Sequence, residues 1–385
     1  MLNFNLPDEL SNIEFNNTDD INILIGENGS GKSTLLSDIL KHYSYNNIPV
    51  IAIANTIHDK FNFKSNKAYI LKSNRGRSLV KNIFHQSLVN FNEKDTRHSR
   101  TIANILDYVG YSPRVGFKIT FVLKNMRNEN ILNQLSNEEL DIYRFIINRY
   151  FTRQLESEVI WIDFSQKNFY DIVDLYFLNI FKFYKKFKEI NLVREINFYF
   201  EKNQKSIPLY GASSGELTVI SILIYISSVI QSNYIIIVDE PENSLHPKWQ
   251  SDYTKKLLEL FYLYNPKIVL ATHSPIIISG SESNFPQTKT FKSNGEMFEL
   301  QKKEPLNIEE ILFRYFNVAT PENRFLSEHL IRYLNLLSNE KMDIENFEII
   351  INRIIRDCFD ENQKRVLEEI KAVGRQIINA ESNEF

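Results

Sequence analysis

The sequence has 385 residues, of which 43% are hydrophobic, so it holds enough apolar material for one large core or two domains. This composition excludes a disordered chain, a collagen-like chain and a small disulfide-stabilised scaffold. The net charge of -3 argues against a globally basic nucleic-acid coat, although it is compatible with a local basic patch. The single cysteine, Cys358, can form no internal disulfide and has no second thiol beside it for a metal, which favours a reducing, cytoplasmic compartment.

No membrane segment is predicted. The sequence does not begin with a basic-then-apolar signal. The longest apolar stretch, Val219 to Ile230, is interrupted by serines and is too short to span a bilayer, so it predicts a buried helix. We therefore expect no membrane partner.

The first predicted elements are a strand, a glycine-rich loop and a helix. Ile21 to Ile25 is an apolar run typical of a buried strand, and the residues from Lys32 onwards have helical spacing. Between them, Gly26-Glu-Asn-Gly-Ser-Gly-Lys-Ser33 fits the P-loop pattern in the context that this pattern requires. Its glycines let backbone N–H groups approach phosphates, its lysine reaches the β- and γ-phosphates, and its serine can bind Mg²⁺. An ordinary glycine-rich turn is the alternative, and the match at every fixed position disfavours it. The predicted nucleotide-binding residues are Gly26, Asn28, Gly29, Ser30, Gly31, Lys32, Ser33 and Thr34.

The middle of the chain predicts a mixture of helices and short strands. Buried strands are expected at Val50 to Ala54 and Tyr69 to Lys72. Arg77 to Tyr108 has helical spacing with a polar break near Phe91 to Ser99. Further strands are expected at Phe117 to Leu123, Val159 to Phe164 and Ile196 to Phe200, and a capping box at Ser136 to Glu139.

Strands and helices alternate again in the C-terminal half. Its strands are continuously apolar and separated by helices, which implies a parallel sheet covered on both faces. After about residue 285, two short strand-like pieces precede a tail that is predicted to be helical, with one helix beginning at Thr320-Pro-Glu322. The helices are expected at Gly215 to Ile230 and Pro247 to Tyr262, and the strands at Tyr234 to Val238, Ile268 to Ala271, Lys289 to Phe291 and Met297 to Leu300.

A second candidate for phosphate chemistry is the segment Tyr234-Ile-Ile-Ile-Val-Asp-Glu-Pro-Glu242. Its apolar strand delivers Asp239 to the C-terminal edge of a sheet, where α/β proteins bind ligands. Asp239 is predicted to hold Mg²⁺ together with Ser33, and Glu240 to polarise the attacking water. An acidic strand end taken alone more often has a turn or capping role, but the P-loop upstream favours the catalytic interpretation.

Two further segments indicate a function only in combination with the P-loop and the Asp239-Glu240 strand end. Ala212-Ser-Ser-Gly-Glu216 opens a predicted helix, so by itself it is an N-cap, although a small, hydroxyl-rich turn there can also hold an anion. His273 ends the next predicted strand, where either a catalytic role or a structural hydrogen bond would suit it.

The order of P-loop, Ser-Ser-Gly-Glu turn, Asp-Glu strand and histidine strand resembles the ATP-binding-cassette (ABC) ATPases over residues 1 to 55 and 205 to 280. Asn28 also matches the Gly-x-Asn-Gly-x-Gly-Lys form of that class. The resemblance implies a head-to-tail dimer in which each ATP lies between the P-loop of one subunit and the signature turn of the other. It also implies that His273 senses the γ-phosphate beside Glu240. No clear Q-loop is found, since Gln86, the only glutamine in the first hundred residues, lies in a helical setting. The signature residues that would contact the partner's ATP are Ser213, Ser214, Gly215 and Glu216.

Two more segments resemble one branch of this class. Asp239-Glu-Pro-Glu-Asn-Ser-Leu-His-Pro-Lys-Trp-Gln250 and Ile53-Ala-Asn-Thr-Ile-His-Asp-Lys-Phe61 are similar to cytosolic RecF-like and overcoming-lysogenization-defect (OLD)-like ATPases. That group includes PtuA-like subunits of antiphage defence. A transporter cassette is disfavoured, because the 207 residues that separate Lys32 from Asp239 exceed what such cassettes need.

A separate effector protein, a nuclease or a toxin, is expected as a partner. The residues after 285 contain no Asp/Glu or His/Cys cluster of the kind that nucleases use. Basic residues near aromatic ones could also contact a partner or nucleic acid. For the segment from Phe181 to Lys188, the favoured alternative is an amphipathic helix whose aromatic face lies in the core and whose lysines are solvated. Whether nucleic acid binds is left open. The two segments are a predicted loop with Lys94, Arg97, His98 and Arg100, and Lys182, Lys185, Lys186 and Lys188 among Phe181, Phe183, Tyr184 and Phe187.

The sequence thus predicts an α/β fold with a P-loop ABC-ATPase core, whose mixed or parallel sheet is covered by helices. The core is assigned to residues 1–75 and 205–300, an inserted helical lobe to 76–204 and a C-terminal helical region to 301–385. The predicted function is Mg²⁺-dependent ATP hydrolysis by a homodimer or higher even-numbered oligomer that regulates an effector in antiphage defence. A RecF/SMC-like DNA-repair ATPase and a module that binds ATP without hydrolysing it are the alternatives.

Overall fold

The computed structural model describes residues 6–15, 20–56, 59–72, 76–89, 96–152, 159–165, 172–302, 307–316, 318, 324–339, 341–357 and 361–381. These residues form an α/β structure with two sheets. The strands are β1 (Ile21–Ile25), β2 (Val50–Ala54), β3 (Ala68–Lys72), β4 (Arg114–Phe121), β5 (Ile160–Asp163), β6 (Val193–Lys202), β7 (Lys205–Pro208), β8 (Ile235–Asp239), β9 (Lys267–Ala271), β10 (Lys289–Ser293) and β11 (Phe298–Leu300).

The helices flank both sheets and make up the C-terminal part. They are α1 (Asp8–Ser11), α2 (Lys32–Tyr45), α3 (Gly76–Val89), α4 (Thr96–Val109), α5 (Glu129–Leu132), α6 (Asn137–Thr152), α7 (Ile172–Glu189), α8 (Ser214–Val229), α9 (Pro247–Ser251), α10 (Tyr253–Phe261), α11 (Pro275–Asn284), α12 (Ile308–Phe316), α13 (Arg324–Ser338), α14 (Ile344–Asp357) and α15 (Glu361–Glu381).

The larger sheet has the strand order β11-β10-β1-β9-β8-β2-β3. Neighbouring strands are parallel except β11, which runs antiparallel to β10. The central strands β1, β2, β8 and β9 are buried along their whole length. In β2, Ile51 and Ile53 join the core on one face, whereas Val50, Ala52 and Ala54 join the core on the other. The predicted sheet with both faces covered is confirmed.

Helices α2 and α8 cover the two faces of this sheet. Helix α2 contributes Leu36 and Ile39 to one core, in the spacing of an amphipathic helix. Helix α8 contributes Ile220 and Ile224 to the other core and also packs against α3 and α4. Because α8 has packed neighbours on several sides, its sequence is apolar nearly all round.

The smaller sheet has the order β5-β4-β6-β7 and is antiparallel throughout. Strand β6 packs against α7, and Phe198 of β6 stacks on the fully buried Phe181 of α7. The sequence does not predict strand β7, because four residues are too few to show a periodic pattern of apolar and polar side chains. Asn203 and Gln204, with φ of 51° and 61°, form the two-residue turn that pairs it with β6. Residues 205–208, which the sequence assigned to the core, therefore pair within this second sheet.

One local prediction is confirmed and another is wrong. The capping box at Ser136 and Glu139 is confirmed, with reciprocal hydrogen bonds of 2.8 and 3.3 Å. The single helix predicted for 247–262 is wrong, because α9 ends at Ser251 and α10 begins at Tyr253. Helix α11 crosses the end of α9 so closely that a Cβ at Gly280 would collide with the Ser251 carbonyl. This crossing is a tertiary contact that no local pattern in 247–262 encodes.

The described part of the C-terminal tail is helical, as predicted. Helix α12 packs on α11 and adds Ile311 and Tyr315 to the main core. Helices α13, α14 and α15 surround a separate core that includes Phe347. The helix start predicted at Thr320 to Glu322 lies outside the described residues, and the proposed domain boundaries stay predictions. No helix in the described ranges combines the length and the apolar character that a membrane span requires.

Candidate nucleotide-binding site

The predicted site residues meet at one edge of the larger sheet. Ala54, Asp239 and Ala271 are paired across β2, β8 and β9, and Leu24 of β1 pairs with Ala271. The strands are parallel, so the segments that follow them leave the sheet side by side. This edge is the carboxyl end of the strands, where open α/β sheets bind ligands. The four segments are 26–31 after β1, 55–56 after β2, 240–246 after β8 and 272–274 after β9.

The loop after β1 has the backbone shape that its glycines predict. Gly29 and Gly31 have φ of 83° and 91°, in the left-handed region that favours glycine, and Gly31 is the N-cap of α2. A Cβ at Gly26 would lie 2.6 Å from Ser30 Oγ, so the loop folds tightly on itself. Asn28 is exposed, as is Thr34 in the first turn of α2. The backbone N–H groups of this helix start are suited to an anion.

Lys32 is buried within the loop that precedes it. Its Nζ donates hydrogen bonds to the carbonyl oxygens of Gly26 at 2.9 Å and Glu27 at 3.0 Å. Burial lowers the pKa of Lys32, and the nearby carboxylates of Glu240 and Asp239 oppose this effect. The ammonium group therefore lies between the phosphate-binding loop and the acidic residues at the strand ends.

Asp239 is fully buried at the end of β8. Among the described residues, neither carboxylate oxygen has a hydrogen-bonding partner of ordinary geometry. Burial raises the pKa of Asp239 to about 6, while Ser33 and Lys32 lower it and Glu240 raises it further. A buried carboxylate without partners is costly unless it is paired or binds a cation. The pair Ser33 and Asp239 thus fits Mg²⁺, a cation that prefers oxygen ligands.

Glu240 leaves the strand in an unusual backbone conformation. Its φ of 50° lies in the left-handed region, which costs a non-glycine residue about 1 kcal/mol or more. Its backbone N–H donates to Ala271 O at 2.8 Å, which fixes the turn, and its Oε2 accepts a hydrogen bond from Asn243 Nδ2 at 3.0 Å. The side chain is partly exposed. Glu240 is therefore held beside Asp239 but outside the sheet, and its role in polarising a water molecule stays a prediction.

His273 is positioned by Glu242, a residue to which the sequence assigned no role. Glu242 accepts hydrogen bonds from His273 N at 2.6 Å and from Thr272 Oγ1 at 2.8 Å. Burial lowers the pKa of His273, Lys32 lowers it further and Glu240 opposes this. The imidazole is therefore mainly neutral at pH 7, and its buried Nε2 has no partner among the described residues. The motif Asp-Glu-Pro-Glu contained this signal, but only the fold shows that its last carboxylate reaches the next strand.

Asn55 and Thr56 are further polar residues that the sequence did not single out. They follow β2, and the buried polar atoms of both side chains have no hydrogen-bonding partner in the described part of the chain. The backbone N–H of Asn55 donates to Asp239 O at 3.2 Å, so the two strand ends are joined. Their place directly after a buried parallel strand could have marked them as ligand-facing residues.

The four signature residues have different surroundings. Ser213 is the N-cap of α8 and forms a capping box with Glu216. Gly215 is buried, and a Cβ there would lie 2.5 Å from Ser244 O in the segment after β8. Ser213 and Ser214 are exposed. The turn thus packs against residues 240–246 of its own chain and presents its two serines to solvent.

The carboxylate of Glu216 is engaged within its own subunit. It accepts hydrogen bonds from Ser213 N at 2.9 Å, Tyr111 OH at 2.8 Å and Lys202 Nζ at 3.0 Å. Burial raises its pKa, but these hydrogen bonds outweigh burial and hold the pKa below its usual range. Glu216 therefore links the helix start to Tyr111, in the segment between α4 and β4, and to Lys202 at the end of β6.

The remaining predicted residues lie elsewhere. Gln86 is exposed on α3. His98 is not part of a basic loop, because it is buried in α4 and its ring nitrogens contact Ser87 at 3.3 Å and Ser227 at 2.9 Å. Lys94 lies outside the described residues. On α7, Phe181 and Phe187 are fully buried, so the amphipathic interpretation of that helix is confirmed for its aromatic face.

Comparisons with known proteins point to ATPases of defence systems. Residues 165–279 match the family model described as "AAA domain, putative AbiEii toxin, Type IV TA system", a range that includes the signature turn, Asp239 and His273 but not the P-loop. The chain is 26% identical over 182 residues to the "Retron Ec83 probable ATPase" of Escherichia coli, which covers 43% of this chain and 32% of that protein. It is 30% identical over 89 residues to the "Retron Vc95 probable ATPase" of Vibrio cholerae serotype O1 biovar El Tor, which covers 20% of this chain and 17% of that protein.

The matched stretches thus span about a third or less of the length of these curated relatives. The narrower resemblance to the RecF-like and OLD-like group stays a prediction. The family model and the relatives support a P-loop ATPase related to antiphage families, and the fold is consistent with one.

Proposed function

We propose that the chain is a cytoplasmic ABC-type ATPase that hydrolyses ATP at a head-to-tail dimer interface and regulates a separate effector in antiphage defence. The observation that carries the ATPase assignment is the fully buried carboxylate of Asp239, which lies at the same sheet edge as the P-loop and makes no hydrogen bond of ordinary geometry within the described residues. A protein keeps such a group only where a ligand compensates for its burial. Mg²⁺ bound with ATP is the ligand that suits both Asp239 and the P-loop.

The residues of the site divide the reaction between them. Lys32 and the N–H groups of the P-loop bind the phosphates. Ser33 and Asp239 would hold Mg²⁺, which would neutralise charge on the phosphate oxygens. Glu240 orients a water molecule and accepts its proton as the new bond to the γ-phosphorus forms and the bond to the β–γ bridging oxygen breaks. The neutral imidazole of His273 donates from Nε2 to a γ-phosphate oxygen. Glu242 supports this by fixing the backbone of His273.

The exposed groups of the signature turn support the proposed head-to-tail dimer. Gly215 is buried against Ser244, and Glu216 accepts hydrogen bonds from its own subunit. Of the four signature residues, Ser213 and Ser214 are exposed. Ser213 Oγ accepts the backbone N–H of Glu216 at 3.2 Å, which leaves its own O–H as a donor to another molecule. Two hydroxyl groups at a helix start, with its positive potential, suit the γ-phosphate of a partner's ATP.

The role in defence rests on similarity. Both curated relatives are called retron ATPases, and the matched family description names a toxin of a toxin–antitoxin system. In such a system ATP binding would close two subunits and hydrolysis would release them, which gives an effector two states to distinguish.

The nucleotide site is tested by Lys32→Ala. We expect ATP affinity, measured by equilibrium dialysis with labelled ATP, to fall at least about 100-fold, because a charge-assisted contact to phosphate is lost. Lys41→Ala, on the same helix but in a surface pair with Asp38, is the matched control and should bind as wild type does. Steady-state phosphate release that is unchanged in Lys32→Ala would contradict the assignment.

The dimer is tested by Glu240→Gln. This variant keeps the size of the side chain but cannot accept the proton, so Mg²⁺–ATP should trap a closed dimer that sedimentation velocity detects. Adding Ser213→Arg, which places a bulky cation on the exposed turn, should return the trapped species to monomers. A sedimentation profile that ATP does not change would contradict the proposed dimer.

A further inference from the structure

A cavity lies among residues 81–210, apart from the sheet edge to which the proposed function assigns ATP. It has a volume of about 570 Å³ and lies between α3, α7 and β6. Small-molecule sites typically have volumes of about 300–1,000 Å³. The floor is formed by Ile196 and Phe198 of β6, both buried. The size and the apolar floor suit a ligand larger than a simple ion.

The walls of this cavity are basic. Lys81 of α3 and Lys185 and Lys188 of α7 line it, together with a single carboxylate, Glu189. None of these lysines makes a salt bridge within the described residues, whereas Lys182 on the same helix pairs with Glu138 at 2.9 Å. Burial lowers the pKa of Lys81, Lys188 lowers it further, and Glu195 opposes this. Like charges that crowd a half-buried space favour binding of an anion.

The cavity also offers flat aromatic surfaces and a hydrogen-bonding group. Tyr184 and Tyr210 line it beside Phe198, and Tyr210 is 42% exposed. His85 lies with its ring 5.3 Å from that of Tyr184, and its Nε2 is buried without a partner among the described residues. Burial lowers the pKa of His85, as does Lys81, so the ring is neutral at pH 7. A neutral imidazole can exchange a hydrogen bond with the edge of a base.

From these features we propose that the cavity between α3, α7 and β6 binds a nucleoside phosphate. Lys81, Lys185 and Lys188 contact the phosphate, and the rings of Tyr184 and Tyr210 contact the base by stacking, which contributes about 1–3 kcal/mol per base. The ligand is either a free nucleotide or the phosphorylated end of a strand, since both present the same group.

The position of Tyr210 connects this cavity to the signature turn. Tyr210 lies in the short turn Leu209–Gly211, directly before Ala212 and Ser213. Strand β6, which forms the cavity floor, also carries Lys202, whose Nζ donates to Glu216 at 3.0 Å. Ligand in the cavity would therefore shift the turn that, under the proposed function, faces the partner's ATP. The cavity becomes a sensor that adjusts ATP turnover.

Binding is tested in the full-length Lys32→Ala chain, where the P-loop site is disabled. Fluorescence polarisation with labelled AMP should show saturable binding, and Lys185→Gln with Lys188→Gln should weaken it at least about 10-fold through lost charge-assisted contacts. Lys182→Gln is the control, because it removes a positive charge from the same helix outside the cavity, and it should bind within about twofold. The exposed positions of Lys185 and Lys188 let both variants fold, which circular dichroism verifies.

Competition then identifies the source of the ligand. Displacement by unlabelled AMP supports a free nucleotide, and displacement at lower concentration by a 5′-phosphorylated oligonucleotide supports a strand end. Absence of AMP binding, equal loss in Lys182→Gln, or equally tight binding of inorganic pyrophosphate would overturn the proposal.

The link to ATP turnover is measured separately in the chain with an intact P-loop. AMP should change phosphate release at least about twofold, and Lys185→Gln with Lys188→Gln should abolish that change. Binding in Lys32→Ala without any effect on phosphate release would retain the site and overturn the sensor role. If the chain hydrolyses no ATP but still binds AMP, the proposed ATPase activity is contradicted and the proposed nucleotide site in the cavity is retained.

Discussion

Replacing Asp239 by asparagine should make the protein more stable in the absence of Mg²⁺ and nucleotide. Asp239 is 0% exposed, and neither carboxylate oxygen is hydrogen-bonded among the described residues. Burial raises its pKa from 3.8 to about 6, so ionising it in the folded protein costs about 3 kcal/mol more than in the unfolded chain. Asparagine has the same size and no charge, so Asp239→Asn removes this cost.

The pH dependence gives the prediction its sign. A raised folded-state pKa means that the cost is absent below about pH 4, grows between about pH 4 and 6, and is complete above that range. Asp239→Asn should therefore exceed the wild type in stability by up to about 3 kcal/mol at pH 8, but by only about 1 kcal/mol at pH 4.5. Unmet hydrogen bonds of the new amide make the first figure an upper bound.

The assay is urea unfolding followed by circular dichroism at pH 8 and pH 4.5, with EDTA present. Asp59→Asn is the matched control, because the Asp59 carboxylate pairs with Lys72 at 2.6 Å and accepts the backbone N–H of Phe61 at 3.0 Å. That variant should lose about 1–3 kcal/mol at pH 8, the opposite sign. If Asp239→Asn is no more stable than the wild type at pH 8, the site does not hold a destabilised carboxylate.

Further predictions concern the signature turn. Gly215→Ala places a Cβ 2.5 Å from Ser244 O, so it should cost about 1–3 kcal/mol in urea unfolding and weaken ATP-dependent dimerisation while ATP still binds; unchanged dimerisation would contradict the packing role. Glu216→Gln removes a carboxylate whose pKa is held low by hydrogen bonds, so its stabilisation is present above the ordinary pKa and is lost as pH falls through the lowered folded value. That variant should lose about 1–2 kcal/mol at pH 7 and progressively less as the pH falls below the ordinary glutamate pKa, and a loss that does not change with pH would refute it. Tyr111→Phe removes only the hydroxyl that donates to Glu216, so it should cost about 1 kcal/mol at pH 7 and bind ATP as wild type does in equilibrium dialysis.

Features that depend on local pattern could be predicted from the sequence. The strands β1, β2, β8 and β9 are mostly apolar because both their faces are covered. The loop from Gly26 to Ser33 has fixed residues at fixed spacing. The parallel order of the sheet then brings the ends of these strands together, which is why Asp239 and His273 could be placed at one edge.

Features that depend on contacts between distant segments could not be predicted. Glu242 holds the backbone of His273 across two strands, and Gly215 is required by Ser244 rather than by its own turn. Strand β7 has four residues and little periodicity, so only its pairing with β6 identifies it. The basic cavity combines residues of α3, α7 and β6 that are far apart in sequence.

The central claim is that Glu240 acts on ATP bound at the P-loop. Steady-state phosphate release by wild type and by Glu240→Gln, at a concentration of Mg²⁺–ATP that saturates both, tests it most directly. The account predicts release by the wild type and a loss of at least about 100-fold in Glu240→Gln, as expected for removal of a general base. Equal rates of phosphate release in the two proteins would contradict it.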